Sequence, residues 1–202
     1  TLKNIEFLNT EYSTVKTYGA IVNYGNLNVL DSSFSNAVGL RAGIILNYGT
    51  LLVNNSEFKN NSAKYYGGAV TNFGFANIVN SLFESNTAAE GEAILNTYDM
   101  FISNSRFIDN NISSNKYQKV ESLIDISSSY FTENSDIFVK DSGIHIKESY
   151  VTLINTSNSV VDISYSFINT YDFVNSRLSI DDNLWCSNEN IPKQANRWLI
   201  MI

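Results

Sequence analysis

One proline (Pro192), one cysteine (Cys186) and one histidine (His145) stand in the 202 residues. A lone cysteine excludes an internal disulfide framework. A lone histidine leaves Ser-His-Asp or metal-triad chemistry resting on a single position. Charge is also sparse, at 16% of residues with a net charge of −7. No basic stripe is present to release counterions from a phosphate backbone, so nucleic acid is not expected as a partner. No run approaches the ~20 apolar residues of a membrane span, and membrane insertion by this segment is not expected. No segment keeps a helical period, and no signal peptide opens the chain.

Asn and Ser together supply over a quarter of the residues. Such polarity would suggest disorder in a chain poor in apolar residues, but 44% of this one is hydrophobic and 13% aromatic. The polar residues must therefore serve turns and ladders in an ordered, β-rich fold.

The repeat decides which fold. Phe34, Phe58, Phe83, Phe107 and Phe131 recur every 24 or 25 residues, as do Asn23, Asn47, Asn72 and Asn96. The unit reads Ile-x-Asn-aromatic-Gly-x-Leu-x-Val-x-Asn-Ser-x-Phe-x-x-Asn, followed by a variable stretch ending in small residues. Leu27-x-Val29, Leu51-x-Val53 and Ile144-x-Ile146 alternate with the period of a strand that buries one face. A unit of this length holding about three short strands and no helix fits one turn of a parallel β-solenoid. Stacking coils roughly 4.8 Å apart would turn the Phe positions into a continuous ring stack and the Asn positions into an amide ladder. Gly25, Gly49 and Gly74 follow the aromatic, where a sharp turn is expected to need a positive φ.

The fold expected is all-β: a right-handed, single-stranded parallel β-helix of about eight coils with ~24 residues per coil. Regularity fades after Phe131. There Val151 and Leu178 are expected at the Phe position, and Ser122–Ser127 and Ser159–Ser164 are read as corresponding strands. Residues 1–182 form the coils and 183–202 a C-terminal cap of the same domain. Thr1 falls inside a repeat unit, so the chain reads as a monomeric segment of a larger protein.

The Phe-x-x-Asn motifs (Phe58–Asn61, Phe83–Asn86, Phe107–Asn110, Phe131–Asn134) are joined by Gly67-Gly68-Ala69-Val70 and the weaker Gly91-Glu92-Ala93-Ile94. Together they resemble the repeats of chlamydial polymorphic outer-membrane proteins and of adhesin-like surface proteins of methanogenic archaea. Asn183-Leu184-Trp185-Cys186-Ser187-Asn188, then Asn196-Arg197-Trp198-Leu199-Ile200-Met201, is similar to the Trp-rich segment that closes many archaeal members. Leu184 stands where that segment has Trp, and Cys186 where Gly is usual. The resemblance implies a secreted protein of the cell surface or wall that adheres to a glycan or protein of a host or neighbouring cell. It implies no binding residues, and no cofactor is expected.

Among single residues, His145 lies between Ile144 and Ile146 and should face solvent. Asp181 and Asp182 resemble the adjacent acids of some β-helical polysaccharide hydrolases, yet neighbouring strand residues point to opposite faces. Asp125 and Asp162 sit in equivalent strands and could stack across coils; capping or solvated acids are expected there, with too few surrounding oxygens for Ca²⁺. Tyr24, Tyr48 and Phe73 share the position after the ladder Asn. They should form an external aromatic column, interrupted at Thr97, on which a sugar or partner could lie. Asn-x-Ser/Thr sequons begin at Asn54, Asn60, Asn111 and Asn155, and the acceptors expected in turns are Asn60 and Asn111. Two functional classes follow. The first is a non-enzymatic adhesive scaffold. The second is a β-helical polysaccharide lyase, hydrolase or epimerase, which would need acids converging with Arg, Lys or His on one flank.

Overall fold

The computed structural model describes residues 1–8, 19–115, 122–180, 185–186 and 200–201. These form an all-β parallel solenoid, with no helix among the described residues. In a regular coil the strand Ile45–Asn47 leads through Tyr48-Gly49 into Thr50–Asn54, and a corner then leads into Glu57–Lys59. Each of the three strands stacks on its copy in the next coil. The Leu-x-Val strands make a ten-stranded sheet in which all pairs are parallel except the last. The Phe strands and the Ile-x-Asn strands make two further columns. They are joined into one sheet through the long strand Tyr130–Lys140.

Period-two alternation sends Val29, Leu51, Val53, Ile78 and Ile102 into a fully buried core. Phe34, Phe58, Phe83, Phe107 and Phe131 stack there with ring centroids 4.5–5.0 Å apart and planes within 10° of parallel. The pleat spacing between strands sets this distance, and parallel rings at it are in slipped face contact.

Three polar ladders hold the corners. Asn23, Asn47, Asn72 and Asn96 each donate, or accept, a side-chain amide bond of 2.7–2.8 Å along the axis. The column then passes to hydroxyls: Asn96 donates to Ser114, which bonds Ser122, which bonds Ser142. In the second ladder, the N–H of each corner Ser donates to the hydroxyl of the Ser one coil on, from Ser32 to Ser56, Ser81, Ser105, Ser129, Ser149 and Ser166. Each of these hydroxyls donates to the carbonyl two residues before it, as Ser56 does to Asn54. Asn61, Asn86 and Asn110 form the third ladder, which closes on Ser135. A left-handed residue precedes each corner serine and each of Asn61, Asn86 and Asn110, and turns the side chain inward. Asn55, Asn80 and Asn104 do so at φ values of 50°, 51° and 47°. Asn and Asp adopt this region more readily than other side-chain-bearing residues.

The turn glycines correct one expectation. Gly25, Gly49 and Gly74 are absent from the positive-φ positions, which among glycines are Gly19, Gly67 and Gly91. What Gly49 and Gly74 supply is closeness: a Cβ on Gly49 would overlap the Gly25 carbonyl, and one on Gly74 the Gly49 carbonyl. Gly67, at φ 30°, and Gly91, at φ 63°, are positions where left-handed geometry itself favours glycine.

Coil length is 24 or 25 residues through the regular part, then drops. The serine bond spans 24, 25, 24 and 24 residues up to Ser129, then 20 and 17. The lost residues come from the turn between the Phe and Ile-x-Asn strands. That turn carries its own small pair in earlier coils, Val38–Gly39 on Ser62–Ala63. Once it is gone the two strands fuse into continuous ones, Tyr150–Ser157 and Phe167–Val174. Val151 takes the Phe position beside Phe131, as expected. Ile168 follows it, whereas Leu178 lies in the other sheet beside Val161. Leu178 had been aligned on a longer period than these coils keep. Ser122–Ser127 and Ser159–Ser164 contribute strands to the same sheet, with Gly143–Lys147 between them.

At the C-terminal end, Ile200–Met201 pairs antiparallel with Leu178 and Arg177 and breaks the parallel stack. Trp185–Cys186 pairs with Phe167 and Ile168. The rest of the expected cap, including Pro192 and Trp198, lies outside the described residues. Removing residues 183–202 should expose parallel edges and cause aggregation on gel filtration, whereas a monomeric truncation of equal stability would rule out a capping role. Phe83→Ala should lower unfolding free energy by about 3–5 kcal/mol in denaturant titration, since both neighbouring rings lose a face.

Candidate functional site

With the inward positions spent on core and ladders, any site must be built from side chains on the outside of the coil. Four outward groups stand out.

The first is the expected corner column. Tyr24 stacks on Tyr48 at 5.1 Å and 5°, and Tyr48 on Phe73 at 5.2 Å and 14°. Thr97 takes the next position and donates its N–H and hydroxyl to the Asn72 carbonyl. The stacking has a chemical consequence, because parallel rings at this separation cover one another's faces. Tyr24 is 78% exposed and Tyr48 38%. The column therefore offers a ridge of edges and hydroxyls, with a broad open area only at Tyr24.

A second aromatic strip was not anticipated. Tyr130, Tyr150 and Phe167 occupy one register position in successive coils, immediately before the Phe-column residue. Tyr150 and Phe167 stack at 5.0 Å and 4°. These residues fall on the short coils, spaced 20 and 17 apart, so a search for a period of 24 passes over them.

The third group is His145 in the outward column of the first sheet. His145 is exposed between buried Ile144 and Ile146, as its alternation requires. Asp125 and Asp162 share one register column, as equivalent strands require, but do not stack on each other, because His145 lies in register between them. The cause is again a coil shorter than the sequence period implies. Asp181 and Asp182 lie outside the described residues.

The fourth group occupies the flank beside the variable turn, where sequence alone showed no convergence. Lys64 Nζ sits 5.2 Å from the centre of the Tyr65 ring. Tyr65 and Tyr66 are tilted 46° with centroids 6.2 Å apart. Their backbone is pinned on both sides: Tyr65 N–H donates to Leu40, and the Tyr65 carbonyl accepts from Glu90. Acids follow along the axis. The Glu90 carboxylate accepts from the Asn115 amide. Burial raises the Glu92 pKa above its ordinary 4.5. A hydrogen bond from the Asn111 backbone opposes that shift, and the charges of Asp109 and Asp136 reinforce it. Burial raises the Asp136 pKa as well. Among the described residues, no group of three or more His, Cys, Asp and Glu side chains is arranged to hold a metal ion.

The two sequon candidates differ in setting. Asn60 is exposed, at φ 55°, just after the strand Glu57–Lys59. Asn111 is half-buried, and its side-chain oxygen accepts the Asp136 N–H at 3.0 Å, between the two acids just described.

Comparison of the chain with protein-family models, with curated proteins and with solved structures finds no match.

The acids yield a pH test. A raised folded-state pKa means that the fold holds the proton more tightly than the unfolded chain does. The associated stability is present below about pH 4 and is lost as pH rises through the folded pKa. Glu92→Gln should thus leave Tm unchanged in acid and raise it above that of the parent protein near neutrality. Parallel pH profiles for the two proteins would show Glu92 to be as solvated in the fold as in the unfolded chain.

Proposed function

We propose that this chain is a non-enzymatic adhesive scaffold of an extracellular surface protein, attaching to a glycan or protein of a host or neighbouring cell. The observation that carries this reading is the axial register, which stacks like positions coil on coil and shifts between Phe131 and Asp136. Three polar ladders and a ring stack fix each coil on the next, so the outward groups of neighbouring coils are held about 5 Å apart along a stiff flank. Contacts that are weak singly add up when a rigid body presents them in a line. The exposed Asn60 sequon suits an extracellular location, and the resemblance of the repeats to those of adhesin-like proteins points the same way.

A polysaccharide-acting enzyme is the second reading, favoured by one observation: Glu92 and Asp136, both shifted toward the protonated form, lie close enough for charge coupling. The two readings separate cleanly. Incubating the purified chain with a panel of uronic-acid and neutral polysaccharides should release no product. Product that disappears in Glu92→Gln would replace the adhesive reading with the enzymatic one. Changing Tyr24 and Tyr48 together to Ser should weaken attachment to glycan-coated or cell surfaces several-fold. Attachment indifferent to that change would remove the corner column as the contact.

A further inference from the structure

Stacking against a sugar needs an uncovered aromatic face, and the rings of the Tyr24–Tyr48–Phe73 column and of the Tyr150–Phe167 pair have spent faces on one another. Tyr65 differs. It is 42% exposed, its neighbour Tyr66 is tilted away from it, and what stands over its face is the mobile end of an exposed lysine. Resting on the adhesive reading, we propose that Lys64 and Tyr65 form a subsite for a hexuronic acid residue of a polysaccharide.

The chemistry matches part by part. The apolar face of a pyranose ring can lie on the Tyr65 ring, as apolar groups do on aromatic faces. To admit it, the Lys64 ammonium swings aside by a rotamer change. It exchanges a solvent-exposed cation–π contact for a charge-assisted bond to the sugar carboxylate. On the side of the following coil Glu90 is paired in register with Tyr66, and Glu92 follows it. This charge gradient orients the ligand, with its carboxylate toward the Lys64 ammonium and away from the acids. The platform is pre-organised, because hydrogen bonds to both neighbouring coils hold the backbone of Tyr65 and Tyr66.

Calorimetric titration with an oligogalacturonate and with a neutral cello-oligosaccharide of equal length tests the assignment. The acidic ligand should bind more tightly, and its affinity should fall with added salt. Lys64→Gln should erase the preference while leaving neutral binding unchanged. Tyr65→Ala should weaken acidic binding by about three- to tenfold, the range for one aromatic contact. Both residues are exposed, so an unchanged Tm confirms that the variants fold. Equal affinity for the two ligands, acidic binding untouched by both variants, or no acidic binding at millimolar concentration would each overturn the subsite. Surface attachment that persists in any of those cases would leave the adhesive reading standing, so the two failures are distinguishable. The Tyr24 and Tyr48 double change should not alter oligogalacturonate affinity, and a loss there would move the site to the corner column.

Discussion

A chain that turns three corners in each short circuit leaves backbone groups at every corner with no sheet partner, and a buried orphan of that kind costs about 1–3 kcal/mol. The side-chain ladders meet this constraint, and the rest of the solenoid depends on them. Each ladder residue serves its own coil and the next. Ser56 accepts from Ser32 and donates to Asn54, while Asn86 accepts from Asn61 and donates to both Phe58 and Asn110. A corner is thus satisfied only when its neighbour is in register, so the same bonds that close the turn lock the stack. For the corner serines and for Asn61, Asn86 and Asn110, the left-handed residue just before each is the geometric condition for this, since it turns the following side chain inward.

How much of this could be read from the sequence follows from period. Where coils hold at 24 or 25 residues, identical side chains fall at constant spacing, and the Phe stack, the Asn23 to Asn96 ladder and the Tyr24–Tyr48–Phe73 column all declare themselves. Where the turn between strands is deleted, the spacing slides to 20 and 17. There Leu178 falls in the other sheet from the Phe column, the coil carrying His145 separates Asp125 from Asp162, and the Tyr130, Tyr150 and Phe167 strip has no constant spacing to reveal it. Chemical disguise hid other features. The amide ladder passes to Ser114, Ser122 and Ser142, which a search for repeated Asn does not follow. The corner serines were visible as part of the repeat, but nothing in their spacing revealed that their hydroxyls bridge coils.

The outward groups were harder to judge because the sequence gives the position of a ring and not its attitude. Tyr24 and Tyr65 are both exposed tyrosines on turns, yet one belongs to a face-to-face stack and the other meets a tilted neighbour, with a lysine over its ring. The flank carrying Lys64, Glu90, Glu92 and Asp136 assembles from three or more coils whose variable turns share no motif. Charges that look scattered along the chain meet there because each turn ends on the same side of the solenoid.

The strictly neighbour-to-neighbour bonding also bears on how the molecule answers a pulling force. No described strand reaches past the adjacent coil, so a load applied to one end meets the resistance of a single interface at a time. Under tension the solenoid would pay out like thread from a bobbin, each 24-residue coil releasing roughly 80 Å of chain and each 17-residue coil roughly 55 Å. The shorter coils at the C-terminal side give back less length for each interface broken, so unwinding from either end would be felt as a different rhythm of slack and resistance.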